Sequence, residues 1–148
     1  MIRYIAALGL GLLLMSFVKW QPNFEIARQE ARQKHQLVLL NFSGSDWCGP
    51  CIRMRKGILE NETFTAFSDS TLQLVNADFP RNKKNQLSKD VVKANEALAD
   101  RYNKEGVFPY TVLLDADGNV LKSWSGLPQE DASGFIQEIK QVYDTHKP

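Results

Sequence analysis

Ser45-Asp46-Trp47-Cys48-Gly49-Pro50-Cys51 decides how this chain is read. It carries both of the chain's cysteines. The run before it, Leu37-Val38-Leu39-Leu40-Asn41-Phe42, is short, apolar and branched, which predicts a buried strand. The run after it, Ile52-Arg53-Met54-Arg55-Lys56, is made of helix formers. The pair therefore falls where a strand passes into a helix, with Cys48 at the helix start and Cys51 within the first turn. Unpaired backbone N–H groups and the positive end of the helix dipole favour an anion at that place. A thiolate is the anion on offer, so the Cys48 thiol is expected to ionise more readily than free cysteine. The thiolate is the species that attacks disulfides. Cys51, one turn on and less exposed, is placed to attack the mixed disulfide that Cys48 would make. Pro50 is tolerated where the first turn needs no N–H, and Gly49 offers no side chain to block an approaching substrate.

Other readings of a lone C-x-x-C remain open on the residues. Half a zinc site is one, but there is no second cysteine pair. His35 and His146, the only histidines, are not at ligand spacing. A structural disulfide is another, although so small a loop would stabilise little. Inert core thiols are a third.

Three separated motifs, in order, carry a resemblance to a family. Trp47-Cys48-Gly49-Pro50-Cys51 resembles the thioredoxin active-site motif in its strand-to-helix setting. Gly106-Val107-Phe108-Pro109-Tyr110-Thr111, followed by Val112 to Asp115, resembles the segment where thioredoxins place a cis-proline opposite the cysteines. Asp115-Ala116-Asp117-Gly118-Asn119-Val120 resembles the hairpin turn beyond it, and Gly126 falls at the family's groove glycine. The wording Phe-Ser-Gly-Ser-Asp-Trp-Cys, with Asp78-Phe79-Pro80-Arg81 downstream, is similar to the secreted bacterial thioredoxin-like branch. The resemblance spans about residues 36 to 145. It implies a thioredoxin fold of the α/β class, a central mixed sheet flanked by helices. It also implies a thiol–disulfide oxidoreductase with Cys48 as nucleophile and Cys51 as resolving cysteine, joined as a redox disulfide. Trp47, Phe108, Pro109 (with a cis bond before it) and Gly126 would line the substrate groove, where an extended segment pairs with backbone. On the residues alone, Pro109 reads as a strand-edge proline.

The sequence departs from the family at defined places. The buried aspartate beneath the cysteines is replaced by Asn41, and its companion lysine falls at Leu74. A lone buried charge would be costly, so losing both together is coherent. No buried carboxylate then takes the Cys51 proton, which leaves Asp46, water or the departing substrate thiolate. Tyr110 stands where a small threonine is usual.

At 148 residues the chain has the length of one domain with a proper core. Lys and Arg total 18 against 17 Asp and Glu, a balance that argues against a nucleic-acid binder. Arg81, Lys83, Lys84, Lys89 and Lys93 form a modest basic cluster, read as a solvated face, with a docking patch for an acidic partner as the minority reading.

Residues 1–20 stand apart. Arg3 precedes an uncharged run over residues 5–18, the pattern of an export signal or membrane anchor. The run is shorter than the roughly twenty residues of a comfortable span, with Arg3 and Lys19 able to snorkel. This predicts a leader over 1–20 and a thioredoxin-like domain over 21–148. The domain would lie outside the cytoplasm, in the periplasm or secreted, tethered to the membrane if the leader persists. Its partners would be disulfide-containing envelope proteins and a membrane or periplasmic electron donor. It would act as a monomer, with no cofactor, no metal and no nucleic acid. The Gly-Pro dipeptide resembles that of reducing family members, so reduction or isomerisation is expected. A non-catalytic binding or chaperone module and a disulfide-donating oxidant are the alternatives.

Within the domain the predicted order is a leading helix over 24–36, then β-α-β-α-β-β-α. The strands fall at 37–42, 72–77, 110–114 and 120–125. The cysteine helix is expected to run to about Leu59, followed by a short helix capped by Asn61. Residues 78–87 form a polar loop, longer than the family's. A helix opened by Ser88 buries a stripe of Val91, Ala94, Leu98 and Tyr102. Phe135, Ile139, Val142 and Tyr143 give the last helix its inner face.

Overall fold

The computed structural model describes residues 18–146. Helix α1 (Phe24–Lys34) begins at Asn23, whose side chain accepts from the Ile26 N–H, and ends at His35 in the left-handed region. It buries Phe24, Ala27 and Ala31. Strand β1 (Leu37–Ser43) follows and is buried at every position. Next come α2 (Gly49–Met54), α3 (Glu62–Thr71), β2 (Leu72–Asp78), α4 (Lys89–Tyr102), β3 (Tyr110–Leu114), β4 (Val120–Ser125) and α5 (Ala132–Thr145).

The sheet runs β2-β1-β3-β4. Strand β2 lies parallel to β1, whereas β3 is antiparallel to both β1 and β4. This is the mixed sheet and element order of the thioredoxin fold. Alternation along β1 splits the core in two. Leu37 and Leu39 pack with Met54, Phe64, Trp124, Phe135 and Ile139, beneath α2, α3 and α5. Val38, Leu40 and Phe42 pack with Phe24, Ala27, Ala31 and Val112, beneath α1 and α4.

Several expectations are revised. The cysteine helix does not run evenly to Leu59. It widens into a π turn over Arg55–Leu59, spanning Gly57, a poor helix former. The polar loop contains a 3-10 turn, Lys83–Asn85. The stripe on α4 is only half covered: Val91 is 41 % exposed and Asn95 is the buried residue of that helix. The reason is polar anchoring. The Asn95 side-chain amide donates to the Asp78 carbonyl at 2.9 Å, and the Tyr102 hydroxyl donates to the Gly118 carbonyl. The leader expected over 1–20 lies outside the described residues as far as residue 17. Its last residues pack on the domain: Trp20 bridges Leu74 on the free edge of β2, and Val18 and Trp20 lie against the α5-side core.

Phe135 is fully buried, with ring centroids 4.8 Å from Trp124 and 6.0 Å from Phe64. We expect Phe135→Ala to cost about 3–5 kcal/mol of stability, read as a lower urea midpoint at unchanged slope.

Candidate active site

The active loop leaves the end of β1 and turns at residues 44–47. The Cys48 N–H donates to the Gly44 carbonyl at 2.9 Å. Cys48 then serves as the N-cap of α2, and its sulfur accepts from the Cys51 N–H at 3.2 Å. Gly49 and Pro50 occupy the first turn, where the proline ring removes no needed donor. The sulfurs of Cys48 and Cys51 are joined, with Cα atoms 5.2 Å apart. Cys51 was expected to be the less exposed. Both cysteines are 5 % exposed.

Trp47 is fixed on several sides. Its indole N–H donates to the Phe79 carbonyl at 2.7 Å. Its ring meets the edge of Phe108 at 5.5 Å, and Phe108 meets Phe79 at the same separation. The Arg81 guanidinium lies 3.7 Å from the ring centre. The Phe108–Pro109 bond is cis. The Pro109 carbonyl accepts from the Gly126 N–H at 2.9 Å, and Gly126 takes a φ of +80° with open space where a side chain would begin. Trp47, Phe108, Pro109 and Gly126 are thus linked through contacts and one hydrogen bond, from the active loop to the end of β4.

Beneath the cysteines, Asn41 is 5 % exposed and Leu74 is 2 % exposed. Asn41 donates to the Asn76 side chain at 2.9 Å and accepts from the Thr111 hydroxyl at 3.1 Å. The Ser43 hydroxyl reaches both Asn76 and Asp78, each at 3.1 Å. Asp78 also accepts from the Ser45 N–H at 2.9 Å and from the Ser45 hydroxyl. A polar seam of neutral groups, ended by one carboxylate, therefore runs from β3 through β1 to β2. A cleft of about 390 Å³ opens beside Cys51, walled by Asn41, Ser43, Ser45, Arg55 and Asn76.

Asp46 is not aimed at the cysteines. Its carboxylate accepts from the N–H groups of Arg81 and Asn82 and from the Asn85 amide, at 2.9 to 3.0 Å. These donors, the Arg81 N–H foremost, then the Asn85 amide, hold it below the usual carboxylate range. Its work is to fasten loop 79–85 to the active loop.

Sequence reasoning missed Asp78, which entered only as part of a resemblance. The available signal was a carboxylate ending β2 opposite a loop with serines at 43 and 45. It also missed Gly44. A side chain there would begin 2.3 Å from the Trp47 ring, so only glycine fits three places before the tryptophan without moving its ring. Tyr110 opens β3 opposite Phe42, with ring centroids 6.3 Å apart.

Residues 24–143 match the thioredoxin-like domain family. The chain belongs to the thioredoxin-like family. It is 32 % identical over 125 residues to a disulfide bond reductase, DsbH, of Chlamydia pneumoniae, covering 84 % of this chain and 72 % of that one. A thioredoxin-related protein of the same organism, DsbJ, is 27 % identical over 86 % of this chain but only 36 % of its own length. Among solved structures, a DsbH oxidoreductase superposes with a TM-score of 0.80 at 26 % identity, over 96 % of this chain and 95 % of the other. A thioredoxin from Thermus thermophilus shares the fold, with a TM-score of 0.61 at 19 % identity over 86 % and 88 %. With the Cys48–Cys51 disulfide at the start of α2, this thioredoxin-like protein is a thiol–disulfide oxidoreductase.

Two outcomes are expected. Gly44→Ala should displace Trp47, costing about 1–3 kcal/mol by overpacking and slowing insulin reduction. Because the Asp46 pKa is depressed in the folded state, its contribution is complete above the ordinary carboxylate pKa of about 3.9. That contribution is lost as pH falls through the lower folded value. The drop in urea midpoint between pH 5 and pH 3 should therefore be smaller in Asp46→Asn than in the wild type.

Proposed function

We propose that this protein reduces protein disulfides outside the cytoplasm, with Cys48 as attacking thiolate and Cys51 as resolving thiol. The observation that carries this is the Cys48 sulfur itself. It caps α2 and accepts the Cys51 N–H, in the position where a thiolate would be held after reduction. The reductive direction is supported by the 32 % identity to a protein named as a disulfide bond reductase.

In the reduced protein, the Cys48 thiolate attacks one sulfur of a substrate disulfide. The substrate S–S bond breaks, and its second sulfur leaves as a thiolate. Cys51 then attacks the Cys48 sulfur of the mixed disulfide. This expels the first substrate sulfur and forms the Cys48–Cys51 bond seen in the structure. Two electrons pass from the dithiol to the substrate. A donor dithiol outside the cytoplasm must return them.

The Cys51 proton has no buried acid to receive it. Asn41 is neutral, and Asp46 is occupied by loop 79–85. The departing substrate thiolate, or water admitted by the cleft beside Cys51, takes the proton. Trp47, Phe108, Pro109 and Gly126 would receive an extended substrate segment by backbone pairing. Residues 1–20, as an export signal or anchor, would place the domain in the periplasm as a tethered or free monomer that meets envelope proteins.

Insulin reduction should fall to background in Cys48→Ser and in Cys51→Ser. Only Cys51→Ser should accumulate mixed disulfides in cells, seen as adducts on non-reducing gels that dithiothreitol dissolves. Wild-type rates in Cys48→Ser would contradict the assignment of the nucleophile.

A further inference from the structure

Two guanidinium groups stand against the residues on either side of Cys48 in the sequence. Arg81 lies over the ring of Trp47, 3.7 Å from its centre. A terminal nitrogen of Arg53 stands 3.6 Å from the point where a side chain on Gly49 would begin. One cation thus sits against each sequence neighbour of the attacking cysteine. Both arginines are exposed.

The acids of the same region are held by other partners, Glu60 of the cleft by Arg55 and the two aspartates by hydrogen-bond donors. Asp46 is taken up by donors from residues 81, 82 and 85. Asp78 is taken up by Ser43 and Ser45. Among the described residues, neither Arg53 nor Arg81 has a carboxylate within ion-pair distance, whereas Arg28, Arg32, Lys34, Arg55 and Lys122 do. Two exposed guanidinium groups beside the active loop are therefore left without a carboxylate partner. Lys83 and Lys84 add two further cations on the exposed 3-10 turn.

The chemistry of the two groups narrows the partner. A guanidinium laid on an aromatic face keeps its N–H edge free, and that fork matches a carboxylate. Charge placed beside a reacting centre selects partners and speeds encounter more than it adds affinity.

We propose that the preferred substrates carry Asp or Glu beside the cysteine that Cys48 attacks, and that Arg53 and Arg81 receive those carboxylates. This rests on the reductase reading and names its substrate class.

The test uses the full chain and three disulfide-bonded peptides identical except for the residues flanking cysteine: Glu, Gln or Lys. At low salt, kcat/KM for the Glu peptide should exceed that for the Gln peptide by about three- to tenfold, with the Lys peptide slowest. The gap should close near 1 M salt, where the Debye length is about 3 Å. The double variant Arg53→Gln/Arg81→Gln should bring the Glu-to-Gln ratio close to one. Arg53→Lys/Arg81→Lys should keep most of it, which separates charge from packing on Trp47. Equal wild-type rates on the Glu and Gln peptides would overturn the proposal, as would a ratio that survives in the double Gln variant. Failure to reduce any of the three peptides would overturn the reductase reading as well.

Discussion

Strand β1 is covered on both faces and paired on both edges, and the site inherits its precision from that. Leu37 to Phe42 have essentially no exposed surface except at Asn41, which is 5 % exposed. Strand β2 lies along one side and β3 along the other. A strand held in this way cannot slip by one residue without turning Leu39 out of one core half and Leu40 out of the other. The active loop therefore starts from a fixed point, Ser43. The Phe79 N–H bonds the Ser43 carbonyl at 2.8 Å, which carries the pairing of β1 and β2 one step past the sheet. The disulfide sits five residues beyond that anchor.

Beneath the disulfide, the fold replaces buried charge with neutral hydrogen bonding. An ionised carboxylate at position 41 would need a partner, and position 74 supplies only a hydrocarbon side chain in the core. Asn41 avoids the problem, since an amide both donates and accepts. It gives to Asn76 and takes from Thr111. Among the described residues, no buried side-chain nitrogen or oxygen lacks a partner. The seam is therefore electrically quiet on the Cys51 side.

Much of the fold was legible because local and global signals agree. The branched run at 37–42, the caps at Asn61 and Ser88, and the Asp117-Gly118-Asn119 turn each act through nearby backbone. The cysteine pair was legible for the same reason, whereas the cis bond before Pro109 was implied only by the family resemblance, since the residues alone read as a strand-edge proline. The contacts that finish the site were not legible. Asp46 reaches residues 81, 82 and 85, and Asp78 reaches back to 43 and 45. Only the parallel pairing of β1 with β2 brings those segments together, and no periodicity announces which side chain crosses between loops. The α4 stripe misled for a related reason. Its pattern was amphipathic, but what covers a face depends on tertiary neighbours, and here Asn95 on the Asp78 carbonyl sets the helix position.

Those two aspartates also explain why the arginines beside the active loop are left without an acidic partner. Each spends its carboxylate on N–H and O–H donors of the segments that frame Cys48 rather than on a guanidinium. The arginines of the same segments have no such inward partners. Arg81 could have paired with Asp46, which receives its backbone N–H. Instead the side chain folds over Trp47. The aspartate fixes the loop by its main chain, and this leaves the guanidinium free to face whatever approaches the disulfide. Loop architecture and surface electrostatics are therefore one arrangement: because the aspartates anchor through backbone and side-chain donors, the arginines beside the active loop keep their N–H edges unpaired.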